Sequence, residues 1–174
     1  MPGHDFLTRL RWTGNRGTGT SAYPAYDRTH VLSAPRKPDL PGSSDVRFRG
    51  EADRWNPEEL LVGALSACHM LWYLHLCAVE GIRVVAYEDE ATGHLELARD
   101  GPGRFTEATL RPRVVLASGD PVRAAALHEE AHRRCFIAAS VNFPVRLAPV
   151  PVELAPPAGT GPTEPHGIYT PPKE

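Results

Sequence analysis

The feature that most constrains this chain is the stretch Asn56–Val79, NPEELLVGALSACHMLWYLHLCAV, in which no Lys, Arg, Asp or Glu falls between Leu60 and Val79. Its N-terminal end carries every signal of a helix start. Asn56 suits the N-cap, Pro57 the first helical position, and Glu59 the third, as in a capping box. Glu58 and Glu59 favour the positive end of the helix dipole, and Gly81 provides the stop. A helix that is apolar all round must be buried all round. It also carries a thiol, Cys68, near its middle. That thiol is either small hydrophobic filler or a nucleophile that needs help to ionise.

About 20 uncharged residues at 1.5 Å each would span roughly 30 Å, the thickness of a bilayer core. His69, His75, Ser66 and Gly63 interrupt the run, its flanks are weakly basic, and the surrounding chain reads as soluble β-structure. A central core helix is therefore the preferred reading. MPGHDFLTRLRW is not expected to act as a signal peptide, since no apolar segment follows a basic one.

The chain has 174 residues and a formal net charge of -2. The length suits one domain, and the scattered Lys and Arg argue against a nucleic-acid binder. Its three cysteines are widely and irregularly spaced and form no CxxC pair. They are no disulfide framework, and a reducing cytoplasm is expected.

Alternating residues 6–13 predict a strand, and 28–33 a second. Residues 14–23 are glycine-rich and turn, and 33–50 reads as a loop. After the long helix, IRVVAYED, GHLELA and RFTEATLRPRVVLAS predict three strands in an antiparallel meander. A second helix begins at Asp120-Pro121 and runs through AAALHEEAHRRCF. Residues 144–154 are extended, and 156–174 form a Pro/Gly-rich tail beyond a single domain 1–155. The expected order is β-β-α-β-β-β-α-β, an α+β fold. Because one sheet covers only one face of an all-apolar helix, a second copy in a symmetric homodimer is the expected cover.

Three places could carry chemistry. Cys68 has His69 beside it and Glu58 ten positions upstream. Cys77, nine residues on, is half a turn out of phase with Cys68 and reads as core. Cys135 follows His132, Arg133 and Arg134, a basic neighbourhood that would favour a thiolate. The segment HEEAH, His128 to His132, matches the H-E-x-x-H pattern of zinc hydrolases, with Glu129 as base. It lacks a third ligand, since His166 is in the tail, and reads otherwise as a solvated helix face. GNRGTGT lacks the GK[ST] ending of a phosphate loop.

Taken together, NPEEL at 56–60 with SACH at 66–69, RCFIAASVNFPV at 134–145 and WTGNRGTGT at 12–20 resemble the OsmC/Ohr family of organic hydroperoxide reductases, over roughly residues 6–155. The resemblance implies an intertwined OsmC-like homodimer with sheets wrapped around long central helices. It implies thiol-dependent reduction of organic hydroperoxides in preference to hydrogen peroxide and regeneration by an external dithiol. On this reading no metal or tightly bound cofactor is needed, and neither nucleic acid nor a membrane is an expected partner. By that resemblance Cys68 is the peroxidatic cysteine and Cys135 the resolving one. Glu58 is the carboxylate that holds a catalytic arginine near the sulfur. Arg47 or Arg49 is the preferred source of that arginine, ahead of Arg28 and then Arg16. Met70, Leu71 and Trp72 would line an apolar pocket. A zinc hydrolase built on His128, Glu129 and His132, and a non-catalytic stress protein of the same fold, are the alternatives.

Overall fold

A computed structural model describes residues 3–99 and 101–156; the tail 157–174 lies outside the described residues. Helix α1 spans Pro57–Val79 as the sequence predicts. Asn56 Oδ1 accepts from the Glu59 amide at 2.8 Å, and Glu59 Oε2 accepts from the Asn56 amide at 3.2 Å, completing the capping box. The helix ends at Glu80, and Gly81 takes the left-handed conformation at φ 69° that side chains disfavour.

Three short strands precede α1: β1 (Arg9–Trp12), β2 (His30–Ser33) and β3 (Leu40–Gly42), joined as an antiparallel sheet in that order. Residues 33–50 are thus not all loop, since they supply β3 and a 3-10 turn at Val46–Phe48. Every residue of β1 is exposed in the single chain.

After α1 come β4 (Arg83–Asp89), β5 (Thr92–Leu97), β6 (Gly103–Leu110) and β7 (Pro112–Ser118). The expected meander is wrong in two respects. RFTEATLRPRVVLAS is two strands, broken where the Arg111 amide donates to Asp89 Oδ1 at 2.6 Å and Pro112 begins β7 without an amide hydrogen. The hairpins are also nested: β4 pairs with β7 and β5 with β6, in separate sheets.

Helix α2 spans Pro121–Arg134, with Asp120 accepting from the Val122 amide at 2.9 Å as its N-cap. It stops one residue before Cys135, which is the C-cap rather than a helical residue. The extended segment that follows gives β8 (Val145–Leu147), parallel to β6, and β9 (Glu153–Leu154), parallel to β7. The class is α+β with mixed sheets.

The main core lies where α1 meets α2 and the β4–β7 sheet. Tyr73, Leu76 and Cys77 pack with Ala124, Leu127 and Ala131, and with Val114 and Leu116. A smaller core joins Leu65 to Ala108 and Leu110. One face of α1 stays uncovered: Gly63, Ala64, Ala67, Leu71 and His75 are exposed at helical spacing. Only 28% of the helix's most apolar window is buried in the single chain, although its length and composition would suffice to cross a membrane. A helix this apolar still lacks part of its cover.

The capping box sets a first prediction. Asn56→Ala should lower stability by about 1 kcal/mol, read as a lower midpoint in urea unfolding with an unchanged slope. An unaltered midpoint would mean that the cap adds nothing to α1.

A thiol pair at the mouth of an apolar cavity

Cys68 is half-buried on α1 and Cys135 is 2% exposed at the end of α2, both as free thiols. They face each other across the helix junction. The Cys135 pKa is pushed up to about 11, first by burial and next by interaction with the Cys68 thiol. The Ala138 amide donates to Cys135 Sγ at 3.4 Å, and it and the Ile137 amide act in the opposite, lowering direction. The basic neighbourhood expected to favour a Cys135 thiolate does not prevail. Arg134 turns away to pair with Glu130 at 2.6 Å, and desolvation dominates. Cys77 is 1% exposed in the main core, and burial raises its pKa too. The expectation of filler holds.

Cys68 opens onto a cavity of about 560 Å³ walled by Ala64, Ala67, Leu71, Trp72, His75, Phe136 and Ile137. Trp72 meets the edge of Phe136 at 5.5 Å and lies under the Arg134 guanidinium at 5.8 Å. Leu71 and Trp72 line the cavity as expected, but Met70 does not. Phe136, absent from the sequence-based set, follows Cys135 directly, and its apolar character beside a cysteine was the available signal.

Glu58 sits elsewhere. With Arg47, Asp45, Trp55 and Ser66 it lines a second cavity, of about 610 Å³, on the other side of α1. Arg47 makes a two-pronged bond to Asp45, at 2.8 and 3.1 Å, which raises the guanidinium pKa most, with a smaller contribution from the Glu58 charge. Asp45, two residues from Arg47, was missed in the sequence. Neither residue lines the Cys68 cavity of the same chain.

The other arginines are engaged differently. Arg28 is sandwiched between Tyr23 and Tyr26, at 4.3 and 4.2 Å from their ring centroids, and donates to their carbonyls. Arg16 donates to the Pro24 and Ala25 carbonyls and pairs with Asp27 at 3.6 Å. Both brace the loop after β1. Arg49 caps the 3-10 turn at φ 67°.

The HEEAH segment is only partly the expected solvated face: Glu129 is exposed and Glu130 pairs with Arg134, but His128 is not on that face. His128 is 1% exposed and points inward, where His69 Nε2 lies 3.1 Å from His128 Nδ1. Among the described residues no group of three or more His, Cys, Asp or Glu side chains is arranged to hold a metal ion. His166 lies outside the described residues.

A long apolar helix bearing one thiol of a facing pair, inside an α+β frame, is the arrangement of an OsmC-like fold. The chain belongs to the OsmC family: residues 50–149 match the model described as OsmC-like protein. It is 26% identical to the uncharacterized protein YmaD of Bacillus subtilis (strain 168) over 151 residues, covering 84% of this chain and 93% of that one. Among solved structures it resembles an OsmC-like protein of unknown function from Vibrio cholerae O1, with TM-score 0.77 and 26% identity over 85% of this chain and 100% of that one. It also shares its fold with an organic hydroperoxide resistance protein OsmC from Legionella pneumophila, with TM-score 0.59 and 14% identity over 89% and 99% of the chains.

Burial holds both inner histidines neutral. It lowers the His69 pKa from 6.5 to about 4, with the His132 charge adding, and lowers His128 to about 4, with His69 adding. In the unfolded chain both take up protons near pH 6.5, whereas the native pair resists until about pH 4. The unfolded state therefore binds more protons in that window. Stability should be full above pH 6.5 and fall towards pH 4, by an amount on the order of a few kcal/mol. Urea midpoints at pH 7.5, 6 and 5 check this, because few carboxylates titrate in that range. A flat profile would contradict neutral burial of the pair.

Proposed function

We propose that this protein is a two-cysteine peroxidase that reduces organic hydroperoxides to alcohols. The observation that carries the reading is the half-buried Cys68 at an apolar cavity with the thiol of Cys135 directly behind it. The apolar wall suits the organic half of a hydroperoxide, leaving the peroxide end at the sulfur. The Cys68 thiolate attacks the terminal oxygen, the O–O bond breaks, and the alkoxide leaves and takes a proton as alcohol. Cys68 is left as a sulfenic acid. The Cys135 sulfur then attacks the Cys68 sulfur and the S–O bond breaks. Water departs and a Cys68–Cys135 disulfide remains. An external dithiol restores both thiols and is itself oxidised to a disulfide.

The thiolate is the attacking form, and a neighbouring positive charge favours it. Arg47 is the proposed source, oriented by Asp45 and Glu58. Its exposed neighbour Arg49 is second, and Arg28, committed to two tyrosines, is third. Since Arg47 and Glu58 line a different cavity from Cys68 within one chain, we propose that a second copy completes the site. The uncovered stripe Ala64, Ala67, Leu71 and the exposed face of β1 support a homodimer. A reducing cytoplasm suits three free thiols.

The test is consumption of cumene hydroperoxide with a dithiol donor. Wild type should turn over, Cys68→Ser should fall to background, and Cys135→Ser should stop after about one equivalent, on the stepwise chemistry above. Arg47→Ala should lose roughly tenfold or more, the equivalent of about 1.4 kcal/mol. An inactive wild type, or an active Cys68→Ser, rejects the reading. Sedimentation of the wild type should give a dimer, and a monomer would reject the shared site.

A further inference from the structure

We infer that His69 and His128 are positioning residues for the disulfide-forming step, an inference that rests on the two-cysteine reading above. His69 follows Cys68 on α1, and His128 lies on α2 seven residues, about two turns, before the C-cap Cys135. The two rings lie within 10° of parallel with centroids 5.4 Å apart, joined by the 3.1 Å Nε2···Nδ1 contact. Tyr73 stacks on His128 with centroids 4.0 Å apart, fixing that ring within the seam. His132 from α2 and Asp89 from β4 are the charged groups that act on His69.

As a source of stability this pair is a poor choice. Two imidazoles are taken from water for one mutual hydrogen bond, and His69 Nδ1 and His128 Nε2 are enclosed without partners. Leucines would fill the same space without that cost. A directional bond does something leucines do not, because it fixes the register of one helix against another. Apolar side chains can slide past one another with little penalty, whereas an N–H···N bond near 3 Å is lost within a fraction of a turn. The reaction that depends on this register is disulfide formation, which requires Cα atoms about 4.4–6.8 Å apart and aligned Cβ vectors. The bond formed is Cys68 Sγ–Cys135 Sγ, the bond broken is S–O of the sulfenic acid, and water is released. The histidines take no part in the bond changes and hold α1 and α2 so that the sulfurs meet.

The experiment separates the two steps. Each protein is treated with one equivalent of cumene hydroperoxide, and two rates are followed by mass spectrometry: loss of the Cys68 thiol, and formation of the Cys68–Cys135 disulfide in competition with dimedone. His69→Leu and His128→Leu should form sulfenic acid within twofold of wild type but close the disulfide at least tenfold more slowly, with dimedone collecting on Cys68. His128→Asn keeps an acceptor at the Nδ1 position and should recover most of the lost rate. Urea midpoints of the leucine variants at pH 7.5 should match or exceed wild type. Disulfide formation as fast in the leucine variants as in wild type overturns the inference, as does equal slowing of both steps. Should the leucine variants fail to fold, His128→Asn against His128→Gln, which moves the acceptor to the Nε2 position, decides it: equal disulfide rates overturn the inference. If wild type forms no disulfide, the two-cysteine reading itself falls, and this inference falls with it.

Discussion

The packing of α1 against α2 is the interaction on which the rest of the structure depends. Tyr73, Leu76 and Cys77 on one helix and Ala124, Leu127 and Ala131 on the other make a seam in which small residues on α2 admit large ones on α1. The seam continues through the stacked His69 and His128 to the thiols of Cys68 and Cys135. Sheet β4–β7–β9 backs it through Val114 and Leu116. Truncating any of these large side chains costs stability through the cavity left behind.

Burial decides the electrostatics of this region. It raises the Cys135 and Cys77 thiols and the Tyr73 and Tyr87 hydroxyls, and it lowers both inner histidines. All these shifts favour the neutral form, as expected where apolar neighbours outnumber charges. Arg47, on the far side of α1, is held by the Asp45 carboxylate, with Glu58 lining the same cavity. Arg47 and Cys68 thus line separate cavities of one chain, and the apolar stripe of α1 beside Cys68 is uncovered.

Local signals were legible in the sequence wherever chemistry acts over a few residues. The Asn56–Glu59 capping box, the Asp120-Pro121 start of α2 and the filler role of Cys77 all follow from spacing and helix geometry. The α+β class was legible from the order of strands and helices, and the OsmC family from the two cysteine segments taken together. What was not legible depends on long-range pairing. Nothing local distinguishes a meander from the nested hairpins β4–β7 and β5–β6, because both satisfy the same alternation. The inward turn of His128 likewise depends on His69, 59 residues away. A polar helix face and a buried imidazole pair look alike until the partner helix is in place. The basic residues before Cys135 misled for the same reason, since side chains adjacent in sequence point elsewhere while burial sets the thiol.

The central claim, that Cys68 and Cys135 are one redox couple, is tested most directly by peptide mapping after a single equivalent of organic hydroperoxide. The account predicts one intramolecular Cys68–Cys135 disulfide per chain, one alcohol released per disulfide, and Cys77 still alkylatable after unfolding. Recovery of Cys135 as a free thiol, or a disulfide involving Cys77, would contradict it.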